Sequence, residues 1–496
     1  MQDISEEVLK EKAKNIFGIS TIFPYQLLVI SNILDAEKAI LTAKDDENAN
    51  IEEMPPSRQI VLFPTGAGKS LCFQLPSLFL KMPTLVIYPL LALMRDQYNK
   101  LKNLVNTVMF IGGQTEQERE KACKQLQTAH IIIANPEVLQ NREILQAIKK
   151  RGISHLAIDE AHCVSEWGDT FRPSYLELSS IIEEIKPNVI TAFTATASET
   201  VLNRMKELIF KGEAHIIQSS LDRPNLHFSI LPCIIKEPML LQEIEKRKKP
   251  IVVFTSNRKR CEQLSRLISF SFPKLQTKFY HAGLQREEKK EVEEWFKDAS
   301  NAVLVATCAY GMGVDKKDIR TVIHFEAPST IEAYIQEAGR AGRDKSMIAE
   351  AILLWNAEDE KRLTSFTSNP EENSHAHRAS VMLNFIKSTQ CRRHFLLEAL
   401  LLKGNEGAEL PECTTCDVCS GGATFTAKEI SSISFYLGIR KIERGVLIDN
   451  IKNANKFWNL QYANKLVSAL ESMNILVKDK FFWRGKLKVN RLKNVR

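Results

Sequence analysis

Residues 63–70 read Phe-Pro-Thr-Gly-Ala-Gly-Lys-Ser and lie between two apolar stretches. Phe63 stands where the full phosphate-loop pattern has its first glycine, but the rest of the pattern is present. Glycines let backbone N–H groups approach phosphate oxygens, a lysine can reach the β- and γ-phosphates, and a hydroxyl suits Mg²⁺. A glycine-rich turn without a ligand is the alternative. The candidate nucleotide-binding residues here are Thr65, Gly66, Gly68, Lys69 and Ser70.

A pair of carboxylates follows the apolar run at 156–158. Asp159 could hold a magnesium ion, and Glu160 could orient and deprotonate an attacking water. Two acidic residues after a strand could also form a helix cap. Because a phosphate loop precedes them, the pair is better explained as the second half of a site that hydrolyses a nucleoside triphosphate.

The elements that must position these residues are short apolar runs rich in β-branched residues, which alternate with helical patterns. Such alternation predicts an α/β fold, with parallel sheets covered by helices on both faces. We expect two such domains in tandem, joined near residues 219–225, where Arg-Pro interrupts the pattern. The predicted strands are 59–63, 84–88, 131–134, 156–158 and 190–193, then 251–254, 303–307, 321–325 and 351–354, with helices at 174–185, 258–268 and 287–297.

The strand pattern disappears near residue 358, where amphipathic helices begin, and Gly421-Gly422 marks a further boundary. We therefore predict domains at 1–219, 220–356, 357–422 and 423–496. An acidic segment at 42–58, poor in apolar residues, is predicted to be an exposed loop, with a partner-binding site as the alternative.

Four of the ten cysteines gather between positions 391 and 419, at Cys391, Cys413, Cys416 and Cys419. Four thiolates suit tetrahedral zinc, and a Cys-x-x-Cys-x-x-Cys segment supplies three ligands from one short loop. Catalytic thiols are the alternative, although no thioredoxin-like domain is evident. His394 is a further possible ligand by residue type. The scattered positions of the other cysteines indicate a reducing compartment rather than a disulfide framework.

Composition excludes a largely disordered chain, since 44% of the 496 residues are hydrophobic and 26% are charged. The formal net charge of +7 is uneven, because residues 428–496 contain 15 Lys or Arg and 5 Asp or Glu and so carry +10. This basic block favours a nucleic-acid partner, although a solvated surface could have the same composition. The first residues are charged, and no apolar run approaches the ~18 residues of a membrane span. We expect a cytoplasmic protein without membrane contact.

In their order along the chain, these motifs resemble those of the RecQ family of DNA helicases, within superfamily 2. Further segments carry the resemblance: FGISTIFPYQ (17–26), YPLLALMRDQ (88–97), DEAHCVSEWG (159–168) followed by DTFRPSY, TAT (194–196), DRPN (222–225), YHAGL (280–284), ATCAYGMGVDKKDIR (306–320) and QEAGRAGRD (336–344). The resemblance spans residues 17 to about 419. Gln26 corresponds to the glutamine that reads adenine in this family, and Phe23 stands where the family usually has an arginine, so that stacking of Phe23 on the base could replace an arginine contact.

The resemblance implies two RecA-like domains, a helical zinc-binding module with four cysteine ligands, and a small winged-helix-like domain. It implies ATP, Mg²⁺ and Zn²⁺ as cofactors, with nucleotide in the cleft between the RecA-like domains. Arg343, with Arg340 beside it, would act as an arginine finger, and the alternative is a surface ion-pair pattern. The candidate catalytic residues are Glu160, Lys69, Arg343 and Arg340, and the cofactor-binding residues add Gln26 and Asp159 to the phosphate loop.

Single-stranded DNA binding needs phosphate contacts and stacking platforms. The candidates are Trp167, Phe171, Arg172, Asn257, Phe482 and Arg484. Trp167 could instead fill the core, and Asn257 could instead cap a helix. The segment 475–489 is predicted to be a hairpin with Phe-Phe-Trp-Arg-Gly at its turn, where alternation could bury two of the three aromatic residues.

The residues and the resemblance together lead us to expect an ATP-dependent helicase that moves 3′ to 5′ on single-stranded DNA and unwinds forked or tailed duplexes in recombination and repair. The polarity and the pathway come from the resemblance. A DEAH-type RNA helicase and a non-enzymatic DNA-binding clamp remain as alternatives. The expected location is the cytoplasm, on the nucleoid in a bacterium, or the nucleus in a eukaryote.

Overall fold

The computed structural model describes residues 4–43, 57–64, 67–164, 177–195, 197–218, 222–308, 310, 316–344, 346–367, 373–400, 412–424, 427, 429–430, 433, 442–478 and 486–489. The chain forms two compact units. The first comprises Met1–Leu221 and Leu400–Glu406, and the second comprises Asp222–Ala399 and Gly407–Arg496. No helix within the described ranges is long and apolar enough to cross a membrane.

The first unit is built on a parallel sheet of strands β1 (Arg58–Leu62), β2 (Thr84–Ile87), β3 (Thr107–Met109), β4 (Ile131–Ala134), β5 (His155–Ile158), β6 (Val189–Thr194) and β7 (His215–Gln218). The strand order is β3-β4-β2-β5-β6-β1-β7. β1 and β5 both flank β6 and run parallel to it. The loops that follow β1 and β5 therefore leave the same edge of the sheet, which brings the phosphate loop towards Asp159.

The helices of the first unit are α1 (Glu6–Phe17), α2 (Pro24–Ala43), α3 (Leu71–Gln74), α4 (Leu91–Leu101), α5 (Glu116–Gln125), α6 (Pro136–Leu139), α7 (Arg142–Arg151), α8 (Leu178–Ile185) and α9 (Glu199–Met205), followed by a π-helical turn at Lys206–Phe210. Strands β2, β4, β5 and β6 are buried along their whole length. Their side chains enter two apolar cores, one on each face of the sheet. Burial on both faces explains why these strands are continuous apolar runs.

The second unit repeats this architecture with strands β8 (Leu226–Pro232), β9 (Ile251–Phe254), β10 (Gln276–Tyr280), β11 (Ala302–Ala306), β12 (Thr321–His324) and β13 (Ala349–Trp355), and helices α10 (Lys236–Lys246), α11 (Arg258–Ser271), α12 (Arg286–Asp298) and α13 (Ile331–Ala338). The parallel strand order is β10-β11-β9-β12-β13-β8. Apolar cores again lie on both faces. The two predicted parallel-sheet domains are confirmed.

Helices follow the second sheet, as the sequence predicts: α14 (Ala357–Thr367), α15 (Asn373–Lys387) and α16 (Arg392–Leu400). The C-terminal part contains α17 (Arg444–Ala454), α18 (Leu460–Ser472) and the antiparallel strands β14 (Leu476–Lys478) and β15 (Leu487–Val489). The helices and the strand pair share a small apolar core. The predicted hairpin thus has its two strands, while its turn at 479–485 lies outside the described residues.

Candidate functional site

Lys69 lies in the phosphate loop, just before α3. Its side chain is only 11% exposed, and its ammonium nitrogen lies 3.8 Å from Glu160 Oε1. Among the described residues that nitrogen has no hydrogen-bond partner. A buried cation without hydrogen bonds is costly, so the position favours an anionic ligand such as a phosphate group. Thr65 and Gly66 of the same loop lie outside the described residues.

Gln26, at the start of α2, contacts the backbone of the phosphate loop. Its Nε2 donates to the carbonyl oxygens of Ala67, at 3.0 Å, and Gly68, at 3.3 Å. Its Oε1 accepts from the backbone N–H of Phe23 at 2.9 Å. Gly68 has φ +76°, and a Cβ there would lie 2.4 Å from Gln26 Nε2. The expected adenine-reading amide is therefore bound to the loop backbone in this structure.

Phe23 is 49% exposed. It stands where the RecQ motif usually has an arginine. Its ring stacks on Tyr25 with centroids 5.5 Å apart, and Tyr25 packs edge-on against the buried Phe63 at 4.8 Å. The Tyr25 hydroxyl donates to the carbonyl of Ala67 at 3.4 Å. An exposed aromatic face thus lies beside the phosphate loop, and aromatic faces can stack on nucleobases.

Asp159 and Glu160 directly follow β5. The Asp159 N–H donates to Ile87 O at 2.9 Å, and its Oδ1 accepts from the Glu160 N–H at 3.0 Å. Burial and the neighbouring Glu160 charge raise the Asp159 pKa to about 6, although Lys69 acts in the opposite direction. Glu160 has φ +49°, a left-handed backbone that is rare outside glycine and typical of functional sites. Asp159 is thus buried, and the partly exposed Glu160 carboxylate lies beside the Lys69 ammonium.

His162 connects this pair to the adjacent strand. Its Nδ1 lies 2.9 Å from Thr194 Oγ1, at the end of β6, and 3.5 Å from Glu160 Oε2. Both His162 and Thr194 are buried. The structure therefore brings Lys69, Asp159, Glu160 and the first residue of the 194–196 motif together in the first unit.

Arg340 and Arg343 lie on the loop between α13 and β13 of the second unit. Arg340 is 9% exposed, and its backbone N–H donates to Glu337 O at 3.2 Å. Positive charge on Arg340 and Arg343 acts on the hydroxyl of Tyr310, but burial dominates and raises the pKa of that hydroxyl. The two predicted arginine-finger residues therefore share one loop and one electrostatic environment.

The sulfur atoms of Cys391, Cys413, Cys416 and Cys419 lie within 4.8 Å of one another. A tetrahedral zinc–thiolate site with bonds of about 2.3 Å has sulfur–sulfur distances near 3.8 Å, and the Cys391 and Cys416 sulfurs are 3.9 Å apart. Burial alone would raise the Cys413 pKa, but N–H groups of Thr415 and Cys416 lower it to about 6. These thiols fit zinc, and the cluster found among the described residues contains no histidine.

A buried ion pair attaches this cysteine loop to the second sheet. Arg392 Nε donates to Asp417 Oδ1 at 3.0 Å, and Asp417 Oδ2 accepts from the Ile230 N–H at 2.9 Å. Arg392 also donates to the carbonyls of Phe385 and Ser388. The sequence identified the four cysteines, but nothing in it paired Arg392 with Asp417, which lie 25 positions apart.

Asn257 caps α11, since its Oδ1 accepts from the Arg260 N–H at 2.8 Å. This is the alternative to its predicted DNA contact. The preceding residues donate to Glu326 Oε2: Thr255 Oγ1 at 2.9 Å, and the Ser256 N–H and hydroxyl at 2.5 Å. The sequence contained no signal for this carboxylate, because 71 positions separate Glu326 from Thr255.

The remaining predicted DNA contacts lie outside the described residues. They are Trp167, Phe171 and Arg172 in segment 165–176, and Phe482 and Arg484 in segment 479–485.

Three family models match the chain in succession. A DEAD/DEAH box helicase model matches residues 23–204, a helicase conserved C-terminal domain matches 235–345, and a RecQ zinc-binding model matches 357–420. All four clustered cysteines lie within the last match.

Curated proteins give similar results. The ATP-dependent DNA helicases RecQ of Pasteurella multocida and Haemophilus influenzae are each 32% identical over 368 residues, which is 73% of this chain and 57% and 58% of theirs. The chain therefore spans less than three fifths of these relatives. R290 of Acanthamoeba polyphaga mimivirus, which is named as an RNA helicase, is 30% identical over 83% of this chain and 72% of its own.

Solved structures share the fold at low identity. The helicase MrfA bound to DNA has a TM-score of 0.57 and 16% identity, covering 99% of this chain and 63% of that one. The DEAD-box helicase Mss116 bound to single-stranded RNA also has a TM-score of 0.57 and 16% identity, covering 94% and 91%. The helicase domain matches, the zinc-binding match and the similarity to these relatives together show that this chain belongs to the RecQ family of helicases.

Proposed function

We propose that this chain is an ATP- and Mg²⁺-dependent DNA helicase that moves 3′ to 5′ on single-stranded DNA and unwinds forked or tailed duplexes in recombination and repair. The observation that carries the proposal is the assembly of Lys69, Asp159 and Glu160 at one edge of the first sheet. DNA as the substrate is supported by the RecQ relatives and by the zinc-binding module.

In this proposal Lys69 binds the β- and γ-phosphates. Its buried ammonium, which has no hydrogen-bond partner among the described residues, supports this role. Asp159, together with the Ser70 hydroxyl, would hold Mg²⁺, which when bound neutralises charge on the phosphates. Glu160 takes a proton from the attacking water. His162, which contacts the Thr194 hydroxyl, orients the Glu160 carboxylate. Arg343 and Arg340 stabilise charge that develops on the γ-phosphate, as arginine fingers do.

Gln26 would contribute to recognition of adenine, with the exposed ring of Phe23 beside it as a stacking surface. Zinc would be structural and would be held by the four cysteines. Asp159 and the phosphate loop would form the nucleotide site. We also propose domains at 1–219, 220–356, 357–422 and 423–496, the last with a winged-helix-like fold.

For DNA contact we propose Trp167, Phe171 and Arg172, which follow the DEAH segment in sequence, Asn257 just before α11, and Phe482 with Arg484 in segment 479–485. Aromatic side chains would stack on bases while cations contact phosphates. The expected location follows the DNA: the cytoplasm in a bacterium and the nucleus in a eukaryote.

An RNA helicase is the second candidate, because R290 is named as one and covers more of this chain than the RecQ relatives do. The two activities differ in the polymer that stimulates ATP hydrolysis. A non-enzymatic clamp would need a damaged site, whereas Lys69, Asp159, Glu160 and Arg343 are all present.

The test compares ATP hydrolysis with single-stranded DNA and with RNA, then unwinding of duplexes that carry a 3′ or a 5′ tail. We expect DNA to stimulate hydrolysis more strongly, and only duplexes with a 3′ tail or a fork to be unwound. Lys69→Ala is the matched inactive control. Stimulation by RNA alone would support the second candidate, and the absence of any stimulated hydrolysis would support the clamp.

A further inference from the structure

The loop that carries Arg340 and Arg343 is held by an arginine from outside it. Arg223, just before β8, donates from Nη1 to Gly339 O at 3.3 Å, and from Nη2 to Ala341 O at 3.0 Å and Gly342 O at 2.7 Å. The accepting carbonyls lie on either side of Arg340 and directly before Arg343. One planar guanidinium thus fixes the backbone from which both arginines project.

Asn225 holds the second half of the same loop. Its Nδ2 donates to the carbonyls of Gly342 and Met347, both at 2.9 Å, and of Asp344 at 3.4 Å. Gly342 has φ +60°, and a Cβ there would lie 2.8 Å from Asn225 Nδ2 and 2.9 Å from Ala349 Cβ. The close approach of Asn225 to the loop therefore requires glycine at this position.

The contacts between Arg223 and this loop bring two positive charges, those of Arg223 and Arg343, near each other. Burial, and then the charge of Arg343, lower the pKa of Arg223. The two guanidinium charges therefore repel each other.

The residue next to Arg223 connects to the cysteine cluster. Arg393 donates from Nε to Asp222 Oδ1 at 2.5 Å and from Nη2 to Asp222 Oδ2, which makes a bidentate ion pair. Arg393 Nη1 donates to the Glu412 carbonyl at 3.1 Å. Arg393 stands two positions after Cys391, and Glu412 directly precedes Cys413. One side chain thus joins both halves of the zinc-binding module to the segment that holds the arginine loop.

We propose that Asp222, Arg223 and Asn225 are positioning residues for Arg340 and Arg343, and that Arg393 fixes this segment from the zinc-binding module. The proposal rests on the proposed function, because it assigns these residues to the hydrolysis step. Misplacement of a catalytic group by about 1 Å can cost on the order of 10²-fold in rate. The zinc-binding module then contributes to ATP turnover as well as to folding.

The first test is a double-mutant cycle of Arg223→Gln and Arg343→Ala, with DNA-stimulated ATP hydrolysis as the readout. We expect Arg223→Gln to lower kcat by about 10- to 100-fold and to leave KM for ATP within about twofold. In the Arg343→Ala background its further effect on kcat should be smaller, because only Arg340 is left to be misplaced. Arg223→Lys, which keeps the charge but loses the planar fork, should show the same pattern even if Arg223→Gln is poorly folded.

The second test uses Asp222→Asn, which changes neither the cysteines nor the arginine loop. We expect a smaller loss of kcat, of about 3- to 10-fold, that is again reduced in the Arg343→Ala background. Zinc content, measured by metal analysis, should stay at the wild-type value. Loss of zinc from Asp222→Asn would show that the ion pair serves metal retention, and an unchanged kcat would show that it serves neither; both outcomes overturn the link to the zinc-binding module.

The matched control is Arg247→Gln, which removes a half-buried arginine from its pairs with Glu243 and Glu350 in the same unit. Its effect on kcat should be small, and it should be additive with Arg343→Ala. Additive losses for Arg223 and Arg343 would overturn the positioning role while leaving the proposed function intact. Wild-type protein without any DNA-stimulated hydrolysis would instead overturn the proposed function itself.

Discussion

The two cation-bearing loops of this protein are held in a similar way by different chemistry. In the first unit, Gln26 lies before β1 and contacts the loop that carries Lys69. In the second unit, Arg223 and Asn225 lie before β8 and contact the loop that carries Arg340 and Arg343. In each case the residues that hold the loop precede the first strand of their own sheet.

The difference lies in the strength of the contacts. Gln26 offers one neutral amide to two carbonyls, whereas Arg223 and Asn225 together reach five. A neutral hydrogen bond contributes about 1 kcal/mol net, and one with a charged donor about 1.5–3 kcal/mol. The amide of Gln26 can therefore exchange the loop for a nucleotide base at small cost, while the arginine loop stays in place. We interpret the first loop as adaptable and the second as fixed.

The largest expected effect separates chemistry from binding. Glu160→Gln removes the proposed base and should reduce turnover by about 10²- to 10⁴-fold, with ATP affinity nearly unchanged. Lys69→Ala should instead weaken ATP binding, because the buried ammonium is lost. The measurements are nucleotide affinity and steady-state ATP hydrolysis for both variants. Turnover at the wild-type rate by Glu160→Gln would remove it as the base.

Loss of zinc should lower the stability of the second unit and leave ATP binding at Lys69, in the first unit, nearly unchanged. Cys416→Ser removes one zinc ligand, and because structural zinc binding is coupled to folding, we expect a stability loss of at least about 2 kcal/mol. ATP affinity at Lys69 should remain within a few fold. Thermal unfolding, metal analysis and nucleotide binding measure the three quantities. Wild-type protein that contains no zinc would contradict the assignment.

Each of the two loops contains a glycine with a left-handed backbone, Gly68 in the first and Gly342 in the second. Substituting alanine at each glycine compares the rigidity of the two loops. Gly342→Ala should cost about 1–3 kcal/mol, because its Cβ meets Asn225 and the rigid start of β13. Gly68→Ala should cost about 1–2 kcal/mol, since its Cβ meets only the end of the flexible Gln26 side chain. Denaturant unfolding without nucleotide measures both. Equal losses would show that the second loop is no more rigid than the first.

Loss of the Gln26 amide should have a modest effect. Gln26→Ala removes the contacts to Ala67 and Gly68, so we expect KM for ATP to rise about tenfold and discrimination against GTP to weaken, while kcat changes little. The control is Asn32→Ala, whose amide contacts Gln59 in the same unit. A fall in kcat as large as that of Arg223→Gln would contradict the adaptable-loop interpretation.

Acid should weaken the first unit through a buried histidine that lies in neither loop. Burial lowers the pKa of His155, in β5, to about 3, below its unfolded value near 6.5. The unfolded state therefore binds the extra proton first, and stability is lost as pH falls below 6.5. Between pH 7 and 5.5 the loss should be about 1 kcal/mol, and His155→Gln should remove this component. Equal pH dependence of the two proteins would contradict it.

The sequence predicted the central strands of both sheets to within two residues at each end. It missed β3, β7, β8 and β10, which are the four edge strands of the two sheets. Central parallel strands are buried on both faces and read as apolar runs, whereas edge strands are partly exposed: β7 and β10 each begin with an exposed residue. The local sequence pattern therefore identified the central strands of both sheets and missed their edge strands.

For the candidate site, the residue types and spacing alone identified the phosphate loop, the carboxylate pair and the four cysteines. Only the tertiary structure decided which side chains hold them. Arg393 and Asp222 are separated by 171 positions, and Arg223 and Gly342 by 119. Charge–carbonyl and charge–charge contacts over such separations have no period or local motif. They depend on how the elements of the second unit fold back on its sheet, which local sequence does not encode.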